Sequence, residues 1–153
     1  MRHLAALGLF LIASATMQST SLADAIPAPQ PPIDIVGCGG DYQSISNPNL
    51  KVGISFINTS DVEATDVTFD ILLLDTNAKI LEGQSVSIEG KFAPNAMIQP
   101  RHDPWGNALL TQPEYPNSPA WDVANHHGSD TAHIFCRVST VKFSNGTSWA
   151  RPH

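Results

Sequence analysis

Two stretches of this chain alternate apolar and polar side chains with a period of two, and that pattern admits little besides extended strands with one buried face. In 50–57, Leu50, Val52, Ile54 and Phe56 alternate with Lys51, Gly53 and Ser55; in 66–74, Val67, Phe69, Ile71 and Leu73 alternate with Asp66, Thr68 and Asp70. The branched and aromatic residues at the apolar positions suit a pleated, half-buried surface. A helix would scatter the same residues around its circumference, because its side chains repeat every 3.6 residues. Asn58, Thr59, Ser60 and Asp61 between the two stretches are turn formers, as are Asp75, Thr76 and Asn77 after the second.

Weaker strands are expected at 33–36, 79–82 and 84–89, the last with Val86 and Ile88 inward. In 92–98, Pro94 and Asn95 predict a turn followed by a short edge strand. Toward the C-terminus Ala132, Ile134, Cys136 and Val138 share one parity, while Val141 and Phe143 have the other. A slip of parity within one strand marks a β-bulge, placed here near Ser139 or Thr140. Asn145-Gly146 predicts a two-residue type I′ hairpin leading to a last strand at 147–150, with Lys142 opposite Trp149.

The N-terminus reads as an export signal. Arg2 supplies the positive start, residues 4–15 form an apolar run too short to span a bilayer, and Ser21, Leu22 and Ala23 offer a cleavage site. Removing 23 of the 153 residues leaves 130, enough for one domain with its own core. The expected organisation is a signal peptide over 1–23, a proline-rich leader over 24–32 and one domain over 33–153. The leader carries Pro27, Pro29, Pro31 and Pro32, which favour an extended, solvated chain. Excision takes Arg2 and no acid, so 7 basic residues face 14 acidic ones and the net charge is −7. Such a surface repels nucleic-acid phosphates and anionic lipid headgroups, so no nucleic-acid partner is expected, and with no second apolar stretch after the first no membrane span is expected either.

Cys38 and Cys136 are the two cysteines, and in an exported protein an even count predicts a bridge. Gly37, Gly39 and Gly40 around Cys38 let the backbone turn close to it. With about seven short strands expected over 33–150, the pattern and spacing resemble an immunoglobulin-like or fibronectin-like sandwich at the level of the superfold. That resemblance implies an all-β, antiparallel two-sheet domain. The chain departs from true immunoglobulin domains in having its first cysteine at the first strand and no tryptophan in 67–73.

The segment 99–130 exceeds an ordinary sandwich connection. It holds Pro100, Pro104, Pro113, Pro116 and Pro119, the rings of Trp105, Tyr115 and Trp121, and the histidines His102, His126 and His127. Asp103, Glu114, Asp122 and Asp130 lie among them, and 108–111 reads as a short strand or one helical turn. Five prolines lower its chain entropy and predict an ordered loop. Three roles fit its composition. Trp105 and Trp121 can cap an open end of the sandwich. Trp105, Tyr115, Trp121, His126 and His127 can form a platform for a sugar ring or a peptide. His126 or His127, with His102, His133, Asp122 or Asp130, can ligate a metal. Adjacent histidines argue against the metal, since in extended chain they point to opposite faces. His133 shares parity with Phe135 and Arg137 and is expected to face solvent or the second sheet, and His153 to be unstructured.

No GxSxG, phosphate loop, CxxC or HExxH occurs, so no catalytic residue and no cofactor is assigned. Asp66 and Asp70 share the outer face of one strand and read as solvated edge charges. Asn58-Thr59-Ser60 and Asn145-Gly146-Thr147 match the N-glycosylation sequon, both in expected turns. The functional expectation is a secreted or periplasmic, monomeric domain that binds a protein, peptide or glycan through 99–130. The alternatives are a pilus-like assembly subunit, against which the proline-broken leader counts as a donor strand, and a metal-binding exported protein.

Overall fold

The computed structural model describes residues 30–40, 48–100 and 118–152. The expected signal peptide, most of the leader, the short element at 108–111 and His153 lie outside the described residues.

Among the described residues eight strands form two antiparallel sheets, one more than the sequence pattern suggests: β1 (Ile33–Gly40), β2 (Asn49–Asn58), β3 (Ala64–Leu74), β4 (Ile80–Phe92), β5 (Met97–Ile98), β6 (Ala120–Ala124), β7 (His133–Phe143) and β8 (Ser148–Ala150). In the first sheet β2 lies between β1 on one side and both β5 and β6 on the other; the second runs β4-β3-β7-β8. The alternating residues of β2 and β3 meet between the layers. Leu50, Val52, Ile54 and Phe56 from one side and Val67, Phe69, Ile71 and Leu73 from the other are fully buried. Phe56 sits at their centre, its ring 5.2 Å from Phe69 and 5.4 Å from Phe92, the latter edge-on as the ring quadrupoles favour.

Cys38 in β1 and Cys136 in β7 are bonded and join the two sheets. The Cys38 end of this link depends on a bulge. Ile35 pairs with Phe56 but Gly37 pairs with Ser55, so Val36 is an extra residue, and it points to solvent with 46% of its surface exposed. Ile33 and Ile35 have odd parity and face the core; under unbroken alternation through Val36, Cys38 would face outward. The slip returns Cys38 to the inner face, opposite Ile54. The glycines around it are strand residues rather than a turn, because β1 continues to Gly40 instead of stopping at Val36. At Gly40 a side chain is excluded: a Cβ there would lie 2.7 Å from the Lys51 carbonyl oxygen.

The bulge expected in the penultimate strand is present. Thr68 pairs with Thr140 and Phe69 with Val138, which leaves Ser139 as the extra residue. Three other expectations are corrected. The segments 79–82 and 84–89 are one thirteen-residue strand, β4, since Gly83 continues the ladder opposite Leu72. The β7–β8 hairpin has a three-residue loop: Phe143 N–H donates to Thr147 O and Gly146 N–H to Phe143 O, with Gly146 at φ +82°. A type I turn followed by a left-handed glycine produces this geometry, and it shifts the register by one. Trp149 therefore faces Val141, and Lys142 faces Ser148. Lastly, Asp66 and Asp70 lie on the outer face of β3, which is a central strand, not an edge. Lys142 Nζ is 2.8 Å from Asp66 Oδ2, and Arg137 Nε is 3.1 Å from Asp70 Oδ2, with the Ser85 hydroxyl donating to Asp70 Oδ1. Both carboxylates are neutralised by a cross-strand cation and so form no acid/base pair.

Candidate functional site

The long segment leaves and rejoins the first sheet at one edge, in the middle of a strand line. Ile98 of β5 pairs with Phe56, and Ala120 of β6 pairs with Gly53, both antiparallel to β2 on the same side. Counting back along β2 from Phe56 to Gly53 brings the partner from Ile98 to residue 101, and Ala120 occupies that place. β5 and β6 are thus two pieces of one edge strand, and 101–119 is an insertion within it. The exit is braced by Pro100, which is buried and whose Cγ would meet a Cβ on Gly53 at 3.0 Å. Gly53 has its missing side chain on the outer face of the sheet, where Pro100 packs against it. The return is braced by Ile54 N–H donating to Pro119 O at 2.9 Å. Two prolines at the ends reduce the entropy lost in fixing them.

Below the insertion, β6 closes the gap between the sheets through side chains of β4. Trp121 and Val123 face inward opposite Val52 and Leu50. Trp121 is half-buried, packs 6.1 Å from the Phe69 ring and donates its Nε1–H to Ser87 O at 3.3 Å. Gln84 Oε1 accepts the Ala124 N–H, and the Glu82 carboxylate accepts both the backbone N–H (3.1 Å) and Nδ1 (2.7 Å) of His126. Glu82 and Gln84 occupy inward-facing positions of β4, with the parity of Val86 and Ile88. Sequence reasoning passed over both. Their legible signal is two polar residues at the apolar parity of a strand, the mark of side chains that reach across an open seam.

The His126 backbone N–H, followed by its side chain, holds the Glu82 carboxyl below its usual 4.5. A carboxyl that ionises more readily folded than unfolded adds stability that is complete above its unfolded pKa and lost as pH falls through the folded one. The expected result is an unfolding free energy that declines below about pH 4.5, with Glu82→Gln showing a shallower decline. Urea melts of both proteins from pH 7 to pH 3 measure it, and parallel pH profiles would show that Glu82 carries none of the effect.

The sequence-derived site residues divide between the two parts of this edge. Trp105, Tyr115 and His102 lie outside the described residues. Trp121 is in the seam between the sheets. His126 and His127 follow β6 in a turn rather than in extended chain, and both are exposed. His126 reaches Glu82, and the positive field of His127 acts on the same carboxyl. Asp122 is exposed on the outer face opposite Lys51, Asp130 ends a 3-10 turn at Gly128–Asp130, and His133 is exposed at the start of β7. Among the described residues no group of three or more His, Cys, Asp and Glu side chains is arranged to hold a metal ion. No described helix is long and apolar enough to cross a membrane.

Of the two sequons, Asn58 is fully buried and its amide is spent on internal hydrogen bonds, whereas Asn145 is exposed at the hairpin tip. The disulfide is compatible with an extracellular location. Comparison of the chain with protein families, with curated proteins and with solved structures found no match.

Proposed function

We propose that this chain is an exported, non-catalytic binding domain, an immunoglobulin-like sandwich that presents residues 99–130 to a sugar ring or a peptide. The observation that carries the reading is the interruption of one edge strand between Ile98 and Ala120. An insertion there leaves the described strands of the core paired among themselves. Rigid sheets that display long connections are where binding residues concentrate. The inserted sequence holds Trp105 and Tyr115 with Asp103 and Glu114, the mixture of aromatic faces and few polar groups that small-ligand sites use. The exposed His126 and His127 border its return. Export is supported by the N-terminal pattern and by the inter-sheet disulfide.

The test excises 101–119 and joins Pro100 to Ala120, which the register of β2 permits. The shortened domain is expected to keep its β circular dichroism and to melt within about 5 °C of the parent, the shift of roughly 1 kcal/mol in a domain of this size. Both proteins are then applied to printed glycan and peptide arrays. Ligands retained by the parent and lost by the shortened domain support the proposal. A parent that binds nothing, or a shortened domain that binds equally, overturns it.

A further inference from the structure

The tip of the β7–β8 hairpin presents an asparagine amide in a reactive arrangement. Asn145 and Gly146 are both exposed, and Gly146 carries no side chain of its own to hinder its nitrogen as a nucleophile. Asn145 Oδ1 accepts two hydrogen bonds from Thr147, from its backbone N–H at 3.0 Å and its hydroxyl at 2.7 Å. Two donors on one carbonyl oxygen draw electron density from Cγ and stabilise negative charge on that oxygen, as an oxyanion hole does. Asn145-Gly146 is the only Asn-Gly pair in the chain.

We infer that Asn145 is a site of spontaneous deamidation in the folded protein, with Gly146 as nucleophile and Thr147 as the group that polarises the amide. The backbone nitrogen of Gly146 attacks Asn145 Cγ and gives up its proton. The Cγ–Nδ2 bond breaks and ammonia leaves, closing a five-membered imide. Water then adds to either imide carbonyl and yields aspartate or isoaspartate. No oxidant, reductant or cofactor takes part.

One feature opposes the reaction. Gly146 N–H donates to Phe143 O at 3.0 Å, so attack needs that bond to open. A hairpin tip with exposed hydrogen bonds is among the first places to open locally. The Asn145–Thr147 bonds join residues two apart and do not involve Phe143, so breaking the Gly146–Phe143 bond does not of itself break them. The polarisation and the nucleophile therefore coexist. Either product adds a negative charge to a chain already at net −6. Isoaspartate also lengthens the backbone of a three-residue loop whose register depends on its length.

Incubation of the intact protein at pH 8 and 37 °C, followed by peptide mapping, tests the inference. A mass gain of one dalton at Asn145 is expected roughly tenfold faster than at Asn58, Asn77, Asn95 or Asn125, and Thr147→Val is expected to slow it about threefold by removing one donor. Circular dichroism throughout confirms that the protein stays folded. No gain at Asn145 overturns the inference. An unchanged rate in Thr147→Val does so as well, since the dipeptide alone would then explain the reaction.

Discussion

Replacing Cys38 and Cys136 together by alanine is expected to lower the unfolding free energy by about 4.7 kcal/mol, the loop-closure entropy of a tether close to 100 residues long. The bond spans 98 residues and connects the sheets at the edge opposite the Trp121 seam, where β1 contacts β7. Without it, β1 keeps β2 as its one neighbour within the sheet among the described residues, and the unfolded chain regains the freedom of nearly the whole domain. The parent protein under reductant should unfold at the same urea concentration as the double variant. A midpoint unmoved by either treatment would show that the link adds nothing to stability. The bulge at Val36 gives the same prediction a second arm. Deleting Val36 removes the bulge yet keeps Cys38 opposite Ile54, so the bridge should still form and the folded protein should offer no thiol to a thiol reagent.

The second large effect is expected at Asn58. Its Nδ2 donates to Val62 O and Phe92 O, each at 2.8 Å, and its Oδ1 accepts from Ser60 N–H and Ser60 Oγ. The Asn58 carbonyl also accepts Asn95 N–H, so one residue ties the β2–β3 turn to the end of β4 and the turn after it. Asn58→Ala strips the donors from two carbonyls and is expected to cost about 3 kcal/mol, since each orphaned buried group costs about 1–3 kcal/mol. Asn58→Asp is the sharper test because its shape is unchanged. It sets a carboxylate against two carbonyl oxygens, which raises its pKa, so the destabilisation should be large at pH 7 and ease as acid protonates it. Chemical denaturation at pH 7 and pH 5 reads both. A loss below 0.5 kcal/mol in either variant would mean that water replaces the amide without cost.

How much of this was legible in the residues depended on whether the side chains carried a parity signal. β2 and β3 did, residue by residue, and so did the slip at Ser139, because large apolar groups stand on both sides of it. The bulge at Val36 was hidden by Gly37, Gly39 and Gly40, which have no side chain to assign to a face. A parity count from Ile33 and Ile35 to Cys38 would have revealed it, given the bridge. β4 was split in two because Glu82 and Gln84 broke its apolar series. They are polar for a reason outside the strand: they serve β6 across the seam. The hairpin was misjudged by one residue, since Asn-Gly suits both a two-residue turn and a three-residue loop ending in a left-handed glycine. Of the residues read as a binding platform, Trp121, His126 and His127 lie among the described residues; Glu82, which binds His126, was not singled out.

Local order therefore determined which segments are extended, which face of each is buried, and that two sulfur atoms were available to be joined. These follow from side-chain alternation, turn chemistry and cysteine count, all of which act within a few residues. The long-range pairings were decided by the tertiary structure. Met97–Ile98 and Ala120–Ala124 share one edge of β2, and Glu82 meets His126, because the ladder hydrogen bonds of β2 and the closure of the seam depend on partners distant in sequence. No local pattern encodes which of several compatible edges a two-residue strand will occupy; that choice is made by the backbone groups β2 leaves unpaired and by the core that Ile98, Trp121 and Val123 complete.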